Sequence, residues 1–113
     1  MALQEQRPGE PAVLGEFVRR IRAVCPAENI VLFGSRAEGG ARDDSDYDLL
    51  VVLPDHCDPK ATLAAIQESL TGLGVAKDLV LAPASRFRRY RDVVNTVYRH
   101  ANSAGRTLYE RAA

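Results

Sequence analysis

Apolar residues recur at helical spacing from Pro11 onward. Val13, Leu14, Phe17, Val18, Ile21 and Val24 form one stripe, with Glu16 and Arg20 an i,i+4 pair on the opposite side. Pro26 ends this predicted helix. The pattern then changes period. Asn29 to Phe33 and Tyr47 to Leu53 are short, nearly continuous apolar runs, the second reading as a central strand covered on both faces. Pro54 to Cys57 is a turn, Asp58 caps a helix that opens on Pro59, and Leu63, Ile66, Leu70 and Leu73 make its stripe, with Gly74 expected just past its end. Val75 to Ala82 reads as a third strand, interrupted by Lys77-Asp78. Ser85 is expected to cap a short helix carrying Phe87 and Tyr90, and a second helix carries Val97, Tyr98 and Ala101 as far as Gly105, with an uncertain break near Val93 to Asn95. Arg106 to Glu110 returns as an edge strand or docks as a short segment. The order α-β-loop-β-α-β-α-α predicts an α+β domain, a small mixed β-sheet flanked by helices.

Composition adds limits. At 113 residues, 46% of them apolar, the chain is one domain with a real core. Residues 1–10 read as a flexible tail and 11–113 as the domain. Fifteen basic and fifteen acidic residues balance, so no net field draws the chain to nucleic acid or an anionic membrane. Arg86, Arg88, Arg89 and Arg91 cluster, and the plain reading is a solvated helix face. Cys25 and Cys57 fit no metal pattern and read as free thiols. No apolar segment at the N-terminus resembles a signal peptide, and no run is long enough to cross a bilayer, so a cytoplasmic protein is expected.

The chemistry concentrates between the first two strands, in the stretch GSRAEGGARDDSDYD from Gly34 to Asp48. Gly34 permits close backbone approach, and Ser35 opens a helical turn, Arg36-Ala37-Glu38, whose free N–H groups suit phosphate. Arg36 and Arg42 are candidate phosphate contacts. Asp46 and Asp48, two apart in extended chain, point the same way with Cα atoms about 6–7 Å apart, a spacing suited to a shared hard cation. Two-metal phosphoryl-transfer sites hold their ions about 3.5–4 Å apart. Mg²⁺ prefers one or two carboxylates completed by water and substrate phosphate. Asp78 is the candidate third carboxylate, because a charge inside an apolar strand is costly unless paired or bound to metal. It joins the other two if the third strand lies beside the second.

Each signal has a plain alternative when isolated. An Asp-x-Asp is a turn or a solvated pair, a Gly-Ser is a turn, Asp78 is a strand-end charge, and Arg36 and Arg42 are surface ion-pair partners. Joined in order between two apolar strands, the Gly-Ser and the Asp-x-Asp point to chemistry on a nucleotide.

Gly34-Ser35, ten intervening residues and then Asp46-Tyr47-Asp48 make the chain resemble the nucleotidyltransferase superfamily that includes DNA polymerase β. Within it, the chain most resembles the minimal nucleotidyltransferase (MNT) proteins. The ending Gly105-Arg106-Thr107-Leu108-Tyr109-Glu110 is similar to their Gly-x-x-Leu-Tyr-Glu close. The resemblance implies the polymerase β-like nucleotidyltransferase fold, with Asp46 and Asp48 as Mg²⁺ ligands for two ions. Asp78 is implied as the third carboxylate, helping to deprotonate the attacking hydroxyl, and Gly34 and Ser35 as the hold on the phosphates. It implies transfer of a nucleoside monophosphate, AMP from ATP, with pyrophosphate leaving. One departure stands out: Glu38 occupies a position where many relatives carry Arg, which is expected to weaken triphosphate binding unless the side chain points away.

Larger relatives carry an added helical domain for the acceptor, and none is expected within these 113 residues, so the acceptor surface is expected to come from a partner. MNT proteins of this size resemble antitoxins paired with a HEPN-domain toxin, and the implied acceptor is a tyrosine of that partner. Two other readings stay open: an inhibitory module that covers the partner without catalysis, and a transferase acting on a small molecule or an RNA end. Phe87, Tyr90 and Tyr98 read as core packing, with a partner patch as the alternative. His56 and His100 receive no role.

Overall fold

The structure, a computed structural model, describes residues 3, 4, 11–38, 46–94 and 96–111. Five strands form one mixed sheet in the order β1-β5-β2-β3-β4. These are β1 (Leu3–Gln4), β2 (Asn29–Phe33), β3 (Tyr47–Leu53), β4 (Lys77–Pro83) and β5 (Arg106–Glu110). The helices are α1 (Ala12–Val24), α2 (Ser35–Glu38), α3 (Pro59–Ser69), α4 (Ala84–Tyr90) and α5 (Val97–Ala104). The mixed α+β class and the bounds of β2 and β3 match the apolar runs. β3 runs antiparallel to β2 and parallel to β4, with α3 as the crossover between the parallel strands.

The alternation of side chains along β2 and β3 builds two cores, one on each face. Ile30, Leu32, Leu49, Val51 and Leu53 face α1 and α3, joining Phe17, Ile21, Ile66 and Leu70. Val31, Phe33, Leu50 and Val52 face α4 and α5, joining Phe87 and Ala101. Tyr47 and every residue from Leu49 to Leu53 is buried, so the doubly covered strand expected from composition is β3. Phe87 therefore packs in the core, while Tyr90 and Tyr98 are half-buried against it. Arg86, Arg88, Arg89 and Arg91 are exposed, as a solvated helix face requires.

Several boundaries differ from the sequence expectation. α3 ends at Ser69 rather than running to Gly74, because Arg20 of α1 donates from Nη1 to Ser69 O and Thr71 O, both at 3.1 Å. A side chain thus satisfies carbonyls that a helix end leaves open. The chain then turns through Gly72 and Gly74, both at positive φ (87° and 73°). Val24, expected in the stripe of α1, is 43% exposed at its last turn. Ser85 lies inside α4 rather than capping it; its N–H is accepted by Asp55 Oδ1 at 2.9 Å, from the turn after β3. The break between the last two helices is real, and Thr96 caps α5 by accepting from Arg99 N at 3.1 Å. β5 is not an edge strand: it pairs antiparallel with β2 on one side and with β1 on the other. Cys25 and Cys57 are free thiols, the first buried. Among the described residues, no helix is long and apolar enough to cross a membrane.

The Asp55 contact links the turn after β3 to α4. The Ser85 backbone N–H, then its hydroxyl and the charge of Arg88, hold the Asp55 carboxyl below its ordinary value of 3.8. A lowered folded-state pKa stabilises the fold at pH above the unfolded value, and this contribution is lost as pH falls through the folded one. Asp55→Ala is expected to lower the thermal midpoint at neutral pH, with the gap to the parent closing as pH falls below about 3.8. A gap that does not change with pH would show that the carboxylate charge is not what stabilises this corner.

Candidate active site

The first two strands converge at the Gly34 turn. Phe33, the last residue of β2, pairs in register with Asp48 of β3, so Gly34 leaves the sheet beside the Asp48 carboxylate. Gly34 takes φ +74°, and a Cβ built there would collide with Asp48 Oδ2 and stand 3.2 Å from its Cγ. Only glycine fits, for both reasons. The Gly34 carbonyl then accepts from Ala37 N at 3.0 Å and Glu38 N at 3.2 Å, which winds Ser35–Glu38 into α2.

Asp78 meets Asp48 from the other side. β4 lies parallel to β3 with Asp48 opposite Asp78, so both project from the α4/α5 face of the sheet. Asp46 precedes β3 by one residue and is exposed, as is Asp78; Asp48 is half-buried. Burial, then the charge of Asp78, then that of Asp46 push the Asp48 carboxyl above its ordinary range. The three acids therefore repel one another through Asp48. That donor set, hard oxygens in mutual repulsion, fits a divalent cation. Among the described residues, however, no three His, Cys, Asp or Glu side chains are gathered tightly enough to enclose an ion. Asp48 and Asp78 are neighbours on one face rather than members of a closed cage.

The basic candidates are placed differently. The Arg36 guanidinium stacks on the Tyr47 ring, 4.3 Å from its centroid. Tyr47 and Asp48 are consecutive in β3, so Arg36 is drawn to the face opposite the carboxylates, where the Tyr47 ring meets Phe17 edge-on at 5.4 Å. This stacking anchors the turn to the core. Arg42 lies outside the described residues. Glu38 is turned toward α5, its Oε2 3.5 Å from His100 Nε2. Sequence reasoning gave His100 no role, because only the fold brings residue 100 beside residues 33 and 38.

Two openings exist near these elements. One, of about 430 Å³, is lined by Gln67, Lys77, Asp78 and Leu79 and so adjoins the third acid. The other, of about 330 Å³, lies under α4 and α5 among Glu28, Asn29, Val52, Phe87 and Arg88. Val52 is four residues along β3 from Asp48, so this second opening is remote from the carboxylates.

A family profile described as a nucleotidyltransferase domain matches residues 14–101. Solved structures are similar over most of the chain. One is a crystal structure of a toxin–antitoxin with AMP-PNP, 25% identical, with 86% of this chain and 73% of that chain covered and a TM-score of 0.63. Another is a mutant form of the toxin–antitoxin MntA-HpeT, 21% identical over the same shares, also with a TM-score of 0.63. A third, from Sulfolobus solfataricus and described as a nucleotidyltransferase, is 21% identical, with 74% and 85% of the two chains covered and a TM-score of 0.54. The last two bear on the fold alone. No curated protein matches the chain.

Two substitutions check the geometry. Gly34→Ala is expected to cost about 1–2 kcal/mol from the left-handed backbone alone, with the collision against Asp48 added, read as a loss of thermal stability. Asp48→Asn removes a charge that burial and two neighbouring acids disfavour, so in buffer free of divalent cations it is expected to raise the thermal midpoint. A lowered midpoint would contradict the repulsion described here.

Proposed function

The chain belongs to the nucleotidyltransferase domain family, and on that footing we propose that it transfers AMP from ATP to a hydroxyl of a partner protein. The partner is a HEPN-domain toxin, the hydroxyl belongs to a tyrosine, and the chain acts as the antitoxin. One observation carries the reading: the Gly34 turn, Asp48 and Asp78 meet side by side at one edge of the sheet. A similar toxin–antitoxin structure with AMP-PNP supports both the nucleotide and the kind of assembly.

The roles proposed here are those the family resemblance implies for these residues, and the geometry supports them. Gly34 and Ser35 receive the β- and γ-phosphates, because the turn has no side chain at Gly34 and opens α2 at Ser35. Asp46, Asp48 and Asp78 are the set that would hold Mg²⁺, whose charge, when bound, neutralises that building on the phosphoryl oxygens. The acceptor oxygen forms a bond to the α-phosphorus, the bond from that phosphorus to the bridging oxygen breaks, and pyrophosphate leaves. The acceptor proton passes to the Asp78 carboxylate, which is exposed and therefore open to an incoming hydroxyl. Arg36 fixes the turn through Tyr47. Action inside the cytoplasm goes with this reading.

The test combines ATP labelled at the α-phosphate, Mg²⁺ and the product of the neighbouring gene, expected to be the HEPN-domain partner. Label is expected on a partner tyrosine, with pyrophosphate released, and Asp48→Asn is expected to reduce transfer at least about 100-fold. Removal of Mg²⁺ with a chelator is expected to stop it. An unlabelled partner that stays tightly bound, with binding unchanged in Asp48→Asn, would replace the transferase with an inhibitory binding module.

A further inference from the structure

Glu38 and His100 stand outside the mechanism above, yet they meet at the turn it depends on. Phe33 precedes Gly34 and Glu38 closes α2, so these two residues bracket the turn. The His100 imidazole, carried in by α5, reaches both ends. Its Nε2 lies 3.5 Å from Glu38 Oε2, and its ring meets the Phe33 ring edge-on with centroids 6.2 Å apart. α2 needs such support. It is four residues long, buries none of them, and closes on two backbone hydrogen bonds to Gly34 O. A helix this short does not hold itself in water. Arg36 secures the turn on the face of Tyr47; His100 is its counterpart on the carboxylate face.

We propose that His100 is a positioning residue, which with Glu38 clasps the Gly34–Glu38 turn to α5 and keeps it in register with Asp48. The inference rests on the reading that this turn receives the phosphates. It also gives the acid at position 38 a purpose. The carboxylate is committed to an imidazole on α5, with which it forms an ion pair whenever that ring is protonated. Phe33 supplies a fixed seat for the ring, since it is buried and hydrogen-bonded into the sheet opposite Asp48.

The test is a double-mutant cycle in the full chain: Glu38→Gln, His100→Gln and the two together. Two quantities are read, amide hydrogen exchange at Ala37 and Glu38, and KM and kcat for ATP in the label-transfer assay. Each single variant is expected to speed exchange at both amides and to raise KM up to about fivefold while kcat holds, as for a half-exposed charged contact. The double variant is expected to be no worse than the singles, because the contact is already gone. Glu38→Gln leaves the ring seated on Phe33, so it reports on the clasp even if His100→Gln disturbs packing. Unchanged exchange at both amides, effects that add in the double variant, or a fall in kcat at constant KM would each overturn the proposal. The exchange readout needs no nucleotide: faster exchange in a protein that transfers no AMP would sink the transferase reading and leave the clasp standing.

Discussion

The carboxylate of Asp48 lies against the Cα of Gly34, in the space where any other residue would carry a Cβ. Everything else at the site is arranged around this approach. It requires β2 and β3 to pair in the register that sets Phe33 opposite Asp48. That register is fixed in turn by two cores, since a slip of one residue would exchange Leu49, Val51 and Leu53 for Leu50, Val52 and the acid itself. A doubly buried strand is therefore what sets the carboxylate beside the turn.

The site sits where β3 begins, and there the fold tolerates charge. Asp46 is exposed, Asp48 half-buried, and burial is complete from Leu49 onward. β4, the edge strand, brings Asp78 alongside without enclosing it. The sheet thus holds Asp48 and Asp78 on one face, with Asp46 close by, at the cost of repulsion read in the upward displacement of Asp48. A positive charge placed there would relieve the same repulsion.

Much of this was legible in the chain. Helical and strand periods marked the elements, and the doubly apolar run from Leu49 to Leu53 marked the central strand. Gly-Ser and Asp-x-Asp flanking one loop marked the chemistry. What the sequence withheld depended on contacts distant along the chain. The end of α3 is set by Arg20, about fifty residues earlier, rather than by the local Gly74. Ser85 looked like a cap because capping is local, but its N–H is accepted by Asp55 across the turn. β5 looked like an edge because nothing in its sequence reports on Leu3 and Gln4. The stacking of Arg36 on Tyr47 was hidden as well, because it depends on where the fold places that ring.

Arg36 also shows how so small a site can be stiff. Its guanidinium rests on Tyr47, Tyr47 meets Phe17 edge-on, and Phe17 is fully buried in α1. The turn is thereby joined to the larger core through two aromatic contacts, each of which adds directional preference to simple burial. On the opposite face, His100 and Phe33 join the same turn to the smaller core through α5. A four-residue helix with no buried residue borrows its rigidity from both sides of the sheet. Because the two attachments start from consecutive residues of one strand pair, Tyr47 on one face and the Phe33–Asp48 pair on the other, motion of the turn would have to disturb both cores at once. The geometry of the candidate site and the stability of the fold are in this sense the same constraint, expressed on two faces of β3.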